Sequence, residues 1–141
     1  VFARDWHPKD HCNFSDESEF VDGSWPAHCV QHSPDAEFVD DITAPLNAIV
    51  VDKGCDEDAE QYSTFEGTGL AETLLEKDVT RVFVGWLVTD YCVKFTTLGG
   101  RENGFDVVLI EDACRAVDNP PGSEQEALDE MRNAGVAFCQ T

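Results

Sequence analysis

Along the chain, short runs of β-branched and aromatic residues alternate with stretches whose apolar side chains recur every three or four positions. The runs lie at residues 1–4 (VFAR), 47–52 (NAIVVD), 81–87 (RVFVGWL), 105–111 (FDVVLIE) and 136–139 (VAFC). They are nearly continuous in apolar character, the pattern of strands buried on both faces. Helical spacing fills the gaps. Leu70, Leu74 and Leu75 share one face of a short helix before Lys77, and Val93, Phe95 and Leu98 lie on a second helix that starts near Asp90 with Thr89 as its N-cap. A third helix reads most completely. Ser123 and Glu126 form an S-x-x-E capping box, Ala127, Leu128 and Met131 give the buried face, and Gly135 stops it.

Strand alternating with helix predicts an α/β fold, a parallel sheet with right-handed crossovers and helices on both faces. Ligands in such folds sit at the carboxyl ends of the strands. A chain of 141 residues with 42% hydrophobic side chains supports one core, so residues 1–141 are expected to form a single domain. The stretch 12–45 has no clear periodicity, and a loop of that length inside a compact domain is usually functional.

Charge narrows the partners. With 29 acidic residues against 9 basic, and a formal net charge of −20, the chain has no basic stripe with which to meet nucleic acid or an anionic membrane. The acids are spread over every segment, which predicts a wholly acidic surface. Such a surface suits molar salt, where the Debye length falls to about 3 Å, and a halophilic source is the expectation. No apolar run is long enough to span a bilayer and the first residues lack the apolar core of a secretion signal, so the expected location is the cytoplasm. The six cysteines are scattered with no CxxC pair, and reduced thiols are expected.

Three places carry candidate chemistry. In RDWHPKDHC, Asp5 and His7 stand two apart on an extended chain and project to the same side. His28, in WPAHCV, could close a set of one carboxylate and two imidazoles suited to zinc, iron(II) or manganese. Taken alone, D-x-H is a weak signal, and a solvated loop is the favoured reading. In VGWLVTDYCVKF, Cys92 falls in the first turn of a helix that follows a strand, where unpaired amides lower a thiol pKa and can hold an oxyanion. A small buried side chain is the other reading of that cysteine. Lys53 follows NAIVVD at the carboxyl end of a strand, where an ammonium can stabilise a thiolate or developing negative charge, although most lysines lie on the surface.

RDWHPKDHCNF, GSWPAHCVQHSPDAEF, VVDKG, YSTFEGTGL and VGWLVTDYCVKFTTL, taken in that order, resemble the nicotinamidase family of isochorismatase-like cysteine hydrolases. The resemblance implies a three-layer α/β/α parallel-sheet fold. It implies hydrolysis of nicotinamide, and in many members pyrazinamide, to the acid and ammonia through a cysteine thioester. By matching motif, Asp5, His7 and His28 resemble the ligands of one divalent metal, with zinc expected first and iron or manganese as alternatives. Cys92 resembles the nucleophile and Lys53 the catalytic lysine. Trp25 and Tyr62 match aromatic positions around the pyridine ring, and the amides of Val88 and Cys92 match the oxyanion hole, with a cis peptide between Leu87 and Val88. A homo-oligomer is compatible with this reading.

The chain also departs from the family pattern. It begins at what corresponds to the family's second strand, so the central first strand, its aspartate and an aromatic pocket residue are expected to be missing by truncation, and residues 1–141 alone are expected to show little or no activity. Trp86 stands where the family has a small residue, and Val88 replaces alanine. A related hydrolase of carbamoyl or ureido amides, which would not need Asp5, His7 and His28, and an inactive remnant with a structural metal site are the competing readings.

Overall fold

The structure is a computed structural model and describes residues 1–141. The chain divides into two compact units, Val1–Gln61 and Tyr62–Thr141, and the α/β class is as expected. In the first unit, β1 (Phe2–Asp5) and β2 (Val50–Lys53) pair in parallel, with Ala3 opposite Val51 and Asp5 opposite Lys53. Ala3 and Val51 are buried. Arg4 locks the pair from outside. Its Nε donates to Asp52 at 2.7 Å, it also bonds Glu37, and its guanidinium lies over the Trp6 ring at 4.0 Å. Between these strands the chain makes a long excursion with one 3₁₀ turn, Pro34–Ala36, and two isolated parallel bridges, His7 with Val30 and Phe14 with Trp25. The unpatterned stretch is therefore folded back on the end of β1.

In the second unit, β3 (Arg81–Val84), β4 (Asp106–Ile110) and β5 (Ala137–Cys139) form a parallel sheet in that order. The crossovers hold α2 (Lys94–Glu102) and α3 (Ser123–Asn133), while α1 (Leu70–Leu75) precedes β3. Phe105, Val107, Leu109 and Met131 are at most 2% exposed and form the centre of the core. A sheet with helices packed on it excludes water from the strands it covers, and burial at about 25 cal/mol per Å² is the main term holding it.

Four local expectations are corrected. Strand β3, at the edge of its sheet, is not buried on both faces: Phe83 is 62% exposed. In α1, Leu75 is exposed and Ala71 buried beside Leu70 and Leu74, since the 70/74 stripe turns away from position 75. In α2 the inward face is Val93, Thr97 and Gly100 rather than Val93, Phe95 and Leu98. Thr97 can be buried because its hydroxyl donates to the Lys94 carbonyl at 2.8 Å. The helix also approaches β4 so closely that a Cβ on Gly100 would sit 2.9 Å from Val107 Cγ2. Finally, α3 has no capping box. Its N-cap is Gly122, whose φ of 96° favours glycine, and Asp118 Oδ1 accepts from the amides of Gly122 at 2.8 Å and Glu124 at 3.2 Å. Asp118 thus does the work expected of Ser123.

Candidate metal centre and nucleophile turn

In the first unit, β1 ends at Asp5 and the chain continues extended to His7, whose backbone bridges to Val30. That bridge brings the loop carrying His28 alongside. One donor atom from each of Asp5, His7 and His28 lies within 4.8 Å of the others, and His7 Nε2 is 3.9 Å from Asp5 Oδ1. Both imidazoles are oriented through their other nitrogen. His7 Nδ1 bonds the Gly54 carbonyl at 3.0 Å and His28 Nδ1 the Pro26 carbonyl at 2.8 Å. A carbonyl can only accept, so each Nδ1 carries the proton and each Nε2 keeps a lone pair toward the cluster, the arrangement of a histidine set to bind a metal.

Burial pushes the His7 imidazole down to about 4, helped by the neighbouring His28 and His11 and opposed by Asp5 and the Gly54 carbonyl. His7 is therefore neutral at physiological pH, as a ligand must be. Gly54, with φ of 65°, lies so close that a Cβ there would overlap the His7 ring. The motif VVDKG thus places the glycine where the imidazole needs the space.

Two further residues border this cluster. Lys53 is 2% exposed, and its ammonium donates to Asp5 Oδ1 and, at 3.4 Å, to the Gln61 carbonyl. The surface alternative for Lys53 is thereby removed. Parallel register explains the contact, since Lys53 is the direct cross-strand partner of Asp5. Trp25 packs edge-on against Phe20 at 4.9 Å and lies 6.0 Å from the His28 ring.

His11 also borders the cluster without being one of its donors: its Nδ1 accepts from the Asn13 amide at 3.3 Å, which leaves the proton on Nε2. It is 3% exposed, its ring centroid is 4.5 Å from that of His7, and its Nε2 is buried with no partner of normal hydrogen-bond geometry. Burial lowers its pKa, opposed by the nearby Ala59 backbone. Its signal in the sequence is a second histidine four residues after His7. A carboxylate and two imidazoles, each with Nδ1 held by a carbonyl, fit a divalent cation.

In the second unit, strand β3 leads through a cis peptide at Leu87–Val88, as the family resemblance implies, into a π-helical turn, Thr89–Val93, that runs on into α2. Thr89 lies inside the turn and Val88 precedes it; neither supplies a side-chain cap. Cys92 is half-buried in this turn and is in no disulfide, like the other five cysteines. The Val88 carbonyl accepts from Tyr91 at 3.2 Å and Val93 at 3.1 Å. Thr89 Oγ1 is buried without a partner. Tyr62 stacks on Phe95 with centroids 5.3 Å apart and meets Tyr91 at 5.6 Å. Phe95, expected in the core, instead forms this aromatic surface.

Residues 2–141 match the isochorismatase domain family. The chain belongs to the isochorismatase family. This isochorismatase-family chain is 33% identical to the nicotinamidase of Acinetobacter baylyi over 154 residues, covering 96% of the chain and 72% of the relative. Among solved structures it resembles a pyrazinamidase of Pyrococcus horikoshii in complex with zinc, at 40% identity and a TM-score of 0.85 over 99% of this chain and 73% of that one. It also resembles an Acinetobacter baumannii nicotinamidase, at 33% identity and a TM-score of 0.90 over 98% and 75%. These neighbours share the isochorismatase-like α/β fold, parallel sheet with helices, expected for this chain. No helix is long and apolar enough to cross a membrane.

Proposed function

We propose that this chain hydrolyses nicotinamide to nicotinic acid and ammonia. The observation that carries this reading is the shared orientation of His7 and His28, each with Nδ1 committed to a backbone carbonyl and both grouped with Asp5. A hydrolase of carbamoyl or ureido amides has no need of that group. A divalent cation held by Asp5, His7 and His28 would supply a Lewis acid for the pyridine nitrogen of the substrate and for a hydrolytic water.

The remaining chemistry belongs to side chains and backbone. Cys92 Sγ attacks the carboxamide carbon, the C–N bond breaks, and the nitrogen leaves as ammonia after taking a proton. Water then cleaves the thioester, releasing nicotinic acid and returning the thiol. The amides of Val88 and Cys92 are assigned to the oxyanion, where each donor is worth roughly 10²–10³ in rate. Lys53 is assigned to charge stabilisation and Trp25 and Tyr62 to the ring, on the strength of the family motifs they occupy.

The same reading takes residues 1–141 as one working domain, supported by the family match over 2–141. Zinc is taken as the ion, supported by the zinc-bound relative, with iron(II) and manganese as alternatives and pyrazinamide as a second substrate. A cytoplasmic location, adaptation to high salt and a homo-oligomeric state complete it.

The test is ammonia release from nicotinamide together with metal content. Chelation is expected to abolish release and zinc to restore it. Cys92→Ala should lose turnover and keep the metal, and His28→Ala should lose both. Turnover indifferent to chelator would point to the metal-free amide hydrolases. Metal without turnover would point to a binding remnant.

A further inference from the structure

The turn that carries Cys92 also contains a carboxylate that the proposed chemistry leaves unused. Asp90 is 4% exposed, and its partners are not cations. Its Oδ1 accepts from the Val117 amide at 3.1 Å, and its Oδ2 accepts from the Asp118 amide at 2.9 Å and the Ser123 hydroxyl at 2.7 Å. The residues on either side are tied to the same segment. Thr89 N–H donates to the Arg115 carbonyl at 2.9 Å, and the Tyr91 hydroxyl donates to the Asn119 carbonyl at 3.3 Å. A strap of residues 115–123 therefore grips three consecutive residues of the turn.

Such a grip has a physical purpose. A π-helical turn is rare and occurs mostly as a single turn within an α-helix, frequently at functional sites. Asp90 gathers three donors, all of them N–H or O–H groups, and only a group with two acceptor oxygens can serve all three. An asparagine of the same shape would present an NH₂ group to donors on one side.

We infer that Asp90 is a positioning residue for Cys92: its carboxylate, held by the 117–123 strap, fixes the turn that presents the sulfur. The inference rests on the reading of Cys92 as nucleophile. Because the Asp90 charge is already met by three donors, removing it changes the field at the sulfur less than loosening the turn does. A loosened turn no longer holds amides toward a thiolate, and thiolate is the reactive form.

The test uses the whole chain and needs no nicotinamide. Amide exchange at residues 88–93 is compared with that at 106–110, and iodoacetamide labelling of Cys92 at neutral pH with that of Cys139, each site resolved by mass spectrometry. For Asp90→Asn, exchange at Tyr91 and Val93 is expected to rise at least tenfold and labelling of Cys92 to fall at least fivefold, with Val107, Leu109 and Cys139 within twofold of wild type. Ser123→Ala removes one of the three donors and should move the same sites in the same direction by about threefold; if Asp90→Asn does not fold, this variant decides by the same criteria. The inference is overturned if the turn and Cys92 stay within twofold or Cys92 labels faster. It is equally overturned if the β4 amides and Cys139 shift by the same factor as the turn, which would make Asp90 a support of the fold alone. A chain that releases no ammonia from nicotinamide leaves these outcomes unaffected, so the two readings fail separately.

Discussion

The two units are held together by different physics. In Val1–Gln61 the buried side chains of any size are His7, His11 and Lys53, and the buried apolar residues are only Ala3, Ala36 and Val51. In Tyr62–Thr141 the interior is Leu70, Leu74, Val93, Phe105, Val107, Leu109 and Met131. Burying polar groups costs stability unless each finds a partner. The first unit therefore depends on particular contacts, such as the Asp5–Lys53 pair and the Nδ1–carbonyl bonds, while the second depends on packed volume. A proposed metal centre belongs naturally in the first kind of interior, and a nucleophile turn that must keep its shape belongs on the second.

Removing volume from the second unit should have the greatest effect. Phe105 is 1% exposed and stacks on Phe65 at 5.6 Å, so Phe105→Ala is expected to cost about 3–5 kcal/mol by denaturant unfolding. Zinc affinity of the folded fraction should not change. If affinity fell in step with stability, the contrast between the units would break.

The first unit should respond to a single methyl group instead. Gly54→Ala puts a Cβ into the His7 ring and a side chain at a φ of 65°. The carbonyl that orients His7 is displaced with it. Loss of such an orienting contact typically lowers metal affinity by about 10–100-fold. Competition with a chromophoric chelator measures this, and unchanged affinity would mean that Gly54 does not set the imidazole.

Acidity separates the units by another route. In the unfolded chain a histidine takes its proton near pH 6.5, whereas burial holds folded His7 to about 4. Between those values the unfolded state binds the extra proton first. The stability due to neutral His7 is thus complete above about pH 6.5 and is lost as the pH falls toward about 4. Denaturant midpoints of ion-free protein across this range should drop for wild type and drop less for His7→Gln. Equal slopes would remove His7 as the cause.

What could be read from the sequence follows the same division. The strands and helices of the second unit are legible because apolar periodicity reports packed volume, and the differences there are of rotation: periodicity turns Phe95 and Leu98 inward where Thr97 and Gly100 make the contact. Periodicity does not reveal that a threonine can satisfy its hydroxyl within its own helix, or that a glycine permits close approach. In the first unit no period was visible over residues 12–45, since bridges such as His7 with Val30 and Phe14 with Trp25 depend on pairing distant in sequence. Asp5, His7 and His28 were legible only by spacing and family motif. The burial of Lys53 follows from its register with Asp5, which a single sequence does not state.

The last contrast concerns one polar contact in a unit held by volume. Asp118 caps α3 by accepting from two amides, and its own φ of 52° lies in the left-handed region. Asp118→Ala loses the acceptor and places alanine where asparagine or aspartate is better tolerated, at a cost of about 1 kcal/mol. Asp118→Asn keeps both the acceptor oxygen and the tolerance, so its unfolding midpoint should stay near wild type. Glu126→Ala, at the position of the capping box that does not form, should stay within about 0.5 kcal/mol. If Glu126→Ala cost more than Asp118→Ala, the helix would be capped through Ser123 and Glu126 after all.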